Sequence, residues 1–525
     1  MRKRVAPSAE PGGPPSTPLE GDQSAALSLL GDPRAYGLTS PVKRIDTQGA
    51  AVFLAGDDVY KVKRAIRLPF LDFSTLEKRR AACEAEIEVN RDNAPTIYLG
   101  VAPITRQGGS LAIGGDGDAV EWAVHMRRFD ENATLDRVAE RGALTSELVR
   151  KLAQAIRRSH ERAPRRDGER ATRSLSTYLD QNEAVFAARP DLFDPARAAA
   201  LAREAREALA AVRPLLVARG EQGYVRRCHG DLHLRNIAVV DGEPVLFDAI
   251  EFDPDIATGD ILYDLAFALM DLWERDLRPA ANLLLASYLS LSDEAQFAGL
   301  AALPLFMSVR AAIRAKVEAG AIAHLSGDER KRERAAATRY FNFAEAFLRP
   351  APARLVAIGG LSGTGKSALA AALAPEIGRA PGAVVLRSDV ERKRLFAVEE
   401  TTRLPDEAYD EEANRETYAR LARKAGLALR AGQSVVVDAV HAHAREREAA
   451  ARLAADLDVA FVGLWLEAPL ALRLRRVGMR GRDASDADAR VVAAQTTAPL
   501  AEDGWSALEA AGDLAAVVAA ARARL

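Results

Sequence analysis

Residues 354–373 read RLVAIGGLSGTGKSALAAAL. An apolar run ends in glycine, a short loop follows, and small apolar residues with good helix propensity begin at once. Such a segment folds as strand, tight loop and helix. Gly360, four variable residues (Leu361, Ser362, Gly363, Thr364), then Gly365, Lys366 and Ser367 make a full G-x-x-x-x-G-K-S. The glycines let backbone N–H groups converge on an anion, and the helix N-terminus adds positive potential. Lys366 is expected on the β- and γ-phosphates of ATP, and the Ser367 hydroxyl on Mg2+.

The surrounding text has the same grammar. GAVVLRSD, SVVVDAV and VAFVGLWLEA are apolar runs separated by helical stretches, which predicts an α/β domain with a parallel sheet covered on both faces. In open sheets of this kind ligands collect at the carboxyl ends of the strands. Asp389 follows one strand, with Arg392 three positions on, and Asp438 ends another, where a carboxylate supports the metal ion. The segment LRLRRVGMRGRDASDAD is dense in arginine, and Arg476 and Arg480 lie four apart in it. The loop, the D-x-x-R pair and this basic segment resemble small P-loop kinases such as polynucleotide kinase, gluconate kinase and the zeta-toxin group. The resemblance covers about 354–525. It implies that Asp389 takes the acceptor's proton, Arg392 holds the acceptor's anionic group, and Arg476 and Arg480 close over the transferring phosphoryl group.

The first half of the chain carries a different constellation. In HGDLHLRN, Asp231 and Asn236 stand five positions apart, the D-x-x-x-x-N separation of a kinase catalytic loop. The acid accepts a substrate hydroxyl proton and the amide holds a metal ion. A second metal ligand belongs on a strand just downstream, where Asp248 follows PVLF. A phosphate-clamping lysine belongs on an earlier strand, oriented by a glutamate on the next helix: Lys61 and Glu86 fit, with Lys63 and Glu84 as alternatives. This set resembles the aminoglycoside phosphotransferases and related small-molecule kinases over about 36–348. The resemblance implies an α+β, two-lobed kinase-like fold, with Asp231 as base, Asn236 and Asp248 as magnesium ligands and Lys61 on the ATP phosphates. It also implies a structural Asp264 in GDILYDLAFALMDL. One departure is that TQGAAVF, and no glycine-rich loop, precedes Lys61. His229 and His233 read as loop-shaping, and Asp241 and Asp253 as turn residues.

The local patterns agree with this division. AAVFLAGDDVYKVKRAI reads as two strands about Gly56-Asp57-Asp58, TLEKRRAACEAEIEVNRDN as a helix and AVEWAVHMRRF as a strand. Residues 144–215 are helical, NIAVVDGEPVLFDAI is a hairpin turning at Asp241-Gly242, and helices resume from about 260 to 348. Two prolines in LRPAPARL mark a join at 349–353, between a kinase-like domain (36–348) and the P-loop domain (354–525), and each piece is expected to fold alone. Residues 1–35, rich in Pro, Gly and Ser, read as a disordered tail without the apolar core of a signal peptide.

With 525 residues the chain exceeds one core; 48% hydrophobic and 28% charged residues are those of a globular protein, and no long uninterrupted apolar run predicts a membrane span. Two cysteines, Cys83 and Cys228, exclude a disulfide framework and suit a reducing cytoplasm. A formal charge of −2 argues against a broad nucleic-acid groove. The sequence therefore predicts an ATP-dependent, Mg2+-using phosphotransferase acting on hydroxyl groups of small molecules at two sites. The alternatives are an ATP-controlled regulatory protein with an inactive kinase-like domain, or a polynucleotide 5′-kinase in the C-terminal domain.

Overall fold

The computed structural model describes residues 22–68, 71–479, 483–495, 500 and 504–525. They divide into two compact units. One comprises Met1–Asp271 with Phe306–Ala346, the other Leu272–Leu305 with Phe347–Leu525.

In the first unit a six-stranded antiparallel sheet is built from Lys43–Asp46 (β1), Ala50–Ala55 (β2), Asp58–Lys63 (β3), Tyr98–Gln107 (β4), Ser110–Ile113 (β5) and Asp118–Arg127 (β6), in the order β1-β2-β3-β6-β4-β5. The helix Leu76–Asn90 is started by Thr75, whose hydroxyl accepts the Lys78 N–H. Its buried residues Cys83 and Ile87 join Val59, Tyr98, Val124 and Met126 in one apolar cluster. This packing fixes the helix against β3. Within the stretch expected as a tail, Ser24–Leu30 is a helix that buries Ala26 and Leu30 against Phe53 and Val62. Its apolar spacing supplies what the Pro/Gly-rich residues before it lack; residues 1–21 lie outside the described residues.

The rest of this unit is mainly helical: Ser146–Arg162, Gly168–Ala187, Pro195–Glu221, Ile261–Glu274, Leu303–Ala321 and Gly327–Leu348. Into it are set Val225–Arg227 (β7), the hairpin Ile237–Val240 (β8) with Glu243–Leu246 (β9), and Thr258–Asp260 (β10). The hairpin turns at Asp241 (φ 53°) and Gly242 (φ 77°), two left-handed residues that match the twist of the paired strands. Among the described residues one run, Ala295–Ala321, is long and apolar enough to cross a membrane, and most of it is buried inside the protein.

The second unit contains a five-stranded, wholly parallel sheet: Arg354–Gly360 (β11), Val384–Arg387 (β12), Val435–Asp438 (β13), Ala460–Glu467 (β14) and Trp505–Glu509 (β15), in the order β12-β13-β11-β14-β15. The central strand β11 is buried almost end to end, as a parallel sheet covered on both faces requires. The order reverses direction about β11, so the loop after it opens at the topological switch point. The helix Arg278–Ser290 belongs to this unit. Its Asn282 amide donates to the Pro381 and Ala383 carbonyls beside edge strand β12, at 3.1 and 2.9 Å. The architecture is thus an α+β kinase-like region with an α/β P-loop domain on a parallel sheet.

Candidate functional site

In the first unit, β3 carries Lys61 beneath the helix bearing Glu86. Lys61 Nζ donates to Glu86 Oε1 at 2.8 Å and to Asp248 Oδ1 at 2.6 Å. Three residues from distant parts of the sequence meet at one ammonium. Glu84 instead faces outward and pairs with Arg80. Lys63, two positions along the same face of β3, also enters: its Nζ donates to Glu86 Oε2 at 2.5 Å and to Glu251. Burial opposes the charge on Lys61, but Asp248 and Glu86 beside it hold its pKa well above the ordinary lysine value. The same pairing outweighs burial at Glu86, whose carboxyl lies below the usual range, and at Asp248. Asp248 has φ 62°, and its N–H donates to the Tyr98 hydroxyl at 3.0 Å. A non-glycine residue in the left-handed region at the mouth of a charged cluster is the kind of strain that functional sites retain.

The loop holding Asp231 is tied at every turn. His229 Nε2 donates to the Phe247 carbonyl (2.9 Å), which leaves Nδ1 to accept the Asp231 N–H at 3.4 Å. The Gly230 N–H donates to Asp264 Oδ1 at 2.8 Å, while Arg310 holds the Gly230 carbonyl at 3.0 Å. Asp264 is itself buried and paired with His160 at 3.1 Å. It is structural, as the family resemblance implies. The Leu234 N–H goes to Asp271. Asn236 Nδ2 donates both to the Asp231 carbonyl and to Asp231 Oδ2, each at 3.0 Å. Acid and amide therefore share one wall of the site. Burial alone would push the Asp231 carboxyl up, but His233, 3.3 Å away, with His229 and Arg314, holds it well below the usual carboxylate range. The acid is therefore ionised at neutral pH. Asn236 and Asp248 offer hard oxygen donors of the kind Mg2+ takes, and the Asn236 amide turns its nitrogen to Asp231, leaving the carbonyl oxygen for a cation.

In the second unit the loop has the shape its glycines allow. Gly360 (φ 133°) and Gly363 (φ 84°) are left-handed, and a Cβ on either would lie 2.7 Å from the carbonyl of Leu466 or Arg473. The helix Lys366–Leu373 starts at the loop's end, and Lys366 Nζ reaches back to the Leu361 carbonyl at 3.2 Å. The Thr364 hydroxyl closes the same turn on Leu361. The Ser367 hydroxyl donates to Asp438 Oδ2 at 2.6 Å, joining the two proposed metal ligands. Burial pushes the Asp438 carboxyl up, against the pull of Arg387 and Lys366.

Asp389 lies at the start of the helix Ser388–Leu395, half-buried, with no hydrogen-bond partner among the described residues. Arg392 is buried on the same helix. It donates to the Ala408 carbonyl (2.8 Å) and Asn414 Oδ1 (2.6 Å), and its guanidinium stacks 4.8 Å from the Tyr409 ring centre. Arg476 does reach the loop, donating to the Thr364 carbonyl at 3.1 Å. Arg480 lies outside the described residues.

Two further residues beside these groups carried no sequence signal. Arg387, two residues before Asp389, lies 3.4 Å from Asp438 and binds Asp483 through both oxygens. Gln495 accepts the Ser362 N–H at 2.8 Å and donates to its hydroxyl at 3.0 Å. Neither belongs to a short motif, so only proximity in space could find them.

Comparison with known proteins matches both regions of the chain. The family described as "Phosphotransferase enzyme family" matches residues 109–300, and that described as "AAA domain" matches 355–498. Among solved structures, a choline/ethanolamine kinase family protein from Mesorhizobium loti is 15% identical, covering 62% of this chain and 98% of its own, with a TM-score of 0.37. The APS kinase CysC of Mycobacterium tuberculosis, in complex with AMPPNP and APS, is 23% identical, covering 33% and 98%, with a TM-score of 0.25. Two uncharacterized proteins, Rv2004c of Mycobacterium tuberculosis and Mb2027c of Mycobacterium bovis, are each 31% identical over 476 residues, 89% of this chain and 92% of theirs. The matched phosphotransferase-family region supports a phosphotransferase. The chain belongs to the family of these mycobacterial proteins, with a phosphotransferase-family region followed by a P-loop kinase-like region in one polypeptide.

Proposed function

We propose that the protein is an ATP- and Mg2+-dependent kinase with two phosphoryl-transfer sites, each passing the γ-phosphoryl of ATP to a hydroxyl group of a small molecule. The observation that carries this reading is the meeting of Lys61, Glu86 and Asp248, in the unit where Asn236 holds Asp231. A binding module has no use for an ionised acid, a metal-binding amide and a phosphate lysine together. In the first site Asp231 accepts the hydroxyl proton, Asn236 and Asp248 hold the cation, and Lys61 takes the phosphates. In the second, Gly360–Ser367 cradle the phosphates, Ser367 and Asp438 hold the cation, and Asp389 is the base. Arg476 and Arg480 belong to the closing segment. A covalent join at 349–353 and a cytoplasmic location with free, buried Cys83 and Cys228 are part of the same proposal.

The test is a screen of hydroxyl-bearing metabolites with radiolabelled ATP on the full chain, repeated with Asp231→Asn and Asp389→Asn. Each substitution is expected to silence one transfer and spare the other. If Asp231→Asn leaves every detected transfer intact, the first-site assignment fails. The second reading, a nucleotide-controlled regulator in the P-loop unit, is favoured by one observation: the two terminal nitrogens of the Arg392 guanidinium are engaged by Ala408 and Asn414 rather than offered to an acceptor. Under that reading Asp389→Asn changes no transfer while ATP still binds.

A further inference from the structure

The charges of the first site form a ladder longer than a lysine–glutamate clamp needs. They alternate from Asp248 to Lys61, Glu86, Lys63 and Glu251, each bonded to the next. The two oxygens of one glutamate serve two lysines. The carboxylates at the two ends of the ladder, Asp248 and Glu251, three residues apart, belong to a single loop after β9. That loop has a further tie to the same helix: the Ala249 N–H donates to Asn90 Oδ1 at 2.8 Å, and Asn90 is fully buried.

The two ends of the ladder differ in their access to solvent. Asp248 and Lys61 side chains are 44% and 17% exposed, whereas Glu86, Lys63 and Glu251 are at 0%, 3% and 7%. The outer pair can therefore exchange partners with a ligand, and the inner pair cannot. When a nucleotide takes Lys61 and a cation takes Asp248, the contact between them must open. Glu86 must then stay charged and in place with nothing but protein around it. Removing one partner of a buried ion pair is strongly unfavourable unless another counter-charge remains. Lys63 is that counter-charge, and Glu251 anchors Lys63 to the loop that carries the metal ligand.

We propose that Lys63 and Glu251 are positioning residues of the first site: they hold Glu86 and the Asp248 loop in register so that Lys61 can leave Asp248 for the nucleotide. This rests on the reading of that site as an ATP clamp. The inner pair touches neither nucleotide nor cation; it acts through Glu86 and through the backbone of residues 248–251.

The experiment uses the full chain carrying Lys366→Ala, which silences the second site, and measures Mg2+–ATP affinity by calorimetry beside the melting temperature. Glu251→Gln leaves Lys63 paired with Glu86, so little change in melting temperature is expected, with an affinity loss of about 10-fold, the usual scale for residues that orient a ligand's direct partners. Lys63→Met strands Glu251 and should melt earlier. Adding Glu251→Gln to it removes the stranded charge and should recover the melting temperature without recovering the affinity. Glu251→Gln binding as tightly as its parent, or affinity that simply follows melting temperature across the variants, would overturn the proposal. Failure of the clamp reading looks different: the Lys366→Ala chain binds no Mg2+–ATP, or Lys61→Ala does not weaken what it binds.

Discussion

Asp231 is held as an anion by two histidines and an arginine, and its partner Asn236 is fixed by two hydrogen bonds to it. Asp231→Asn keeps the shape and removes the base. The first-site transfer rate is expected to fall by about 10²–10⁴ with ATP affinity largely unchanged, as a general base predicts; single-turnover assays beside calorimetry check this. The buried clamp also sets a pH dependence. Glu86 has its pKa lowered from 4.5 by Lys61 and Lys63 against burial, and Asp248 is lowered from 3.8 by Lys61 in the same way. Folding thus favours the unprotonated forms, and the unfolded chain binds these protons more readily. The resulting stability is fully present above those ordinary values and is lost as pH falls below them. Melting temperature should therefore drop on acidification through about pH 4.5, and the slope should be shallower in Glu86→Gln. Equal slopes in the two proteins would remove the clamp from the acid response.

At the scale of elements, each site is a junction between regular structure and a loop that the structure forces into one course. The helix Leu76–Asn90 has no strong amphipathic stripe, since its buried face includes Arg79, Glu86 and Asn90 as well as Cys83 and Ile87. Its polar residues are paired inside the fold, so apolar periodicity alone understates how buried it is. In the second unit, Gly363 faces the Arg473 carbonyl so closely that any side chain must displace the phosphate loop. Gly363→Ala should weaken ATP binding at that site by at least about 10-fold, because the N–H groups that converge on the phosphates lose their shared direction. Titration in a chain whose first site carries Lys61→Ala measures it. The helix Arg278–Ser290 is pinned to the edge of β12 through Asn282. Asn282→Ala strands two buried carbonyls and should cost about 1–3 kcal/mol in the unfolding of that unit by denaturant.

For the whole molecule, the two compact units are not consecutive in sequence. Leu272–Leu305 groups with Phe347–Leu525, although it lies within and just beyond the region matched to the phosphotransferase family. In that segment Leu284, Leu285, Tyr288 and Leu289 are buried, Lys424 sits over the Phe297 ring, and the Arg379 guanidinium reaches the Leu300 carbonyl. A piece comprising only residues 353–525 leaves all of these partners behind. Against the expectation that each side of the 349–353 join folds alone, this piece is expected to aggregate, or to melt well below the full chain, even with Mg2+–ATP present. Thermal scans of the piece and of the full chain decide it: a piece that melts with the full chain shows that residues 272–305 contribute nothing to this unit.

Much of this was legible in the residues themselves. Gly360–Ser367 after an apolar run is chemistry and geometry in one stretch, because the backbone that binds phosphate is the backbone that turns. Asp231 and Asn236 lie on one loop, and Asp248 follows the adjacent hairpin, so spacing alone marks them. Strand β15 and the helix Ser24–Leu30 are too short for their patterns to stand out from the sequence around them. The choice between Lys61 and Lys63 could not be made from sequence, since residues two apart on a strand share a face. Folding uses both lysines, because Glu86 lies between them with two oxygens. Arg387, Gln495 and Glu251 belong to the same class: each acts through a partner tens or hundreds of positions away, at distances that no local pattern encodes. What the sequence determined was the identity of the reactive groups. Which of them are dry, which are paired, and which stay open to a ligand was decided only when distant strands and helices packed together, because burial and ion pairing are properties of neighbours in space.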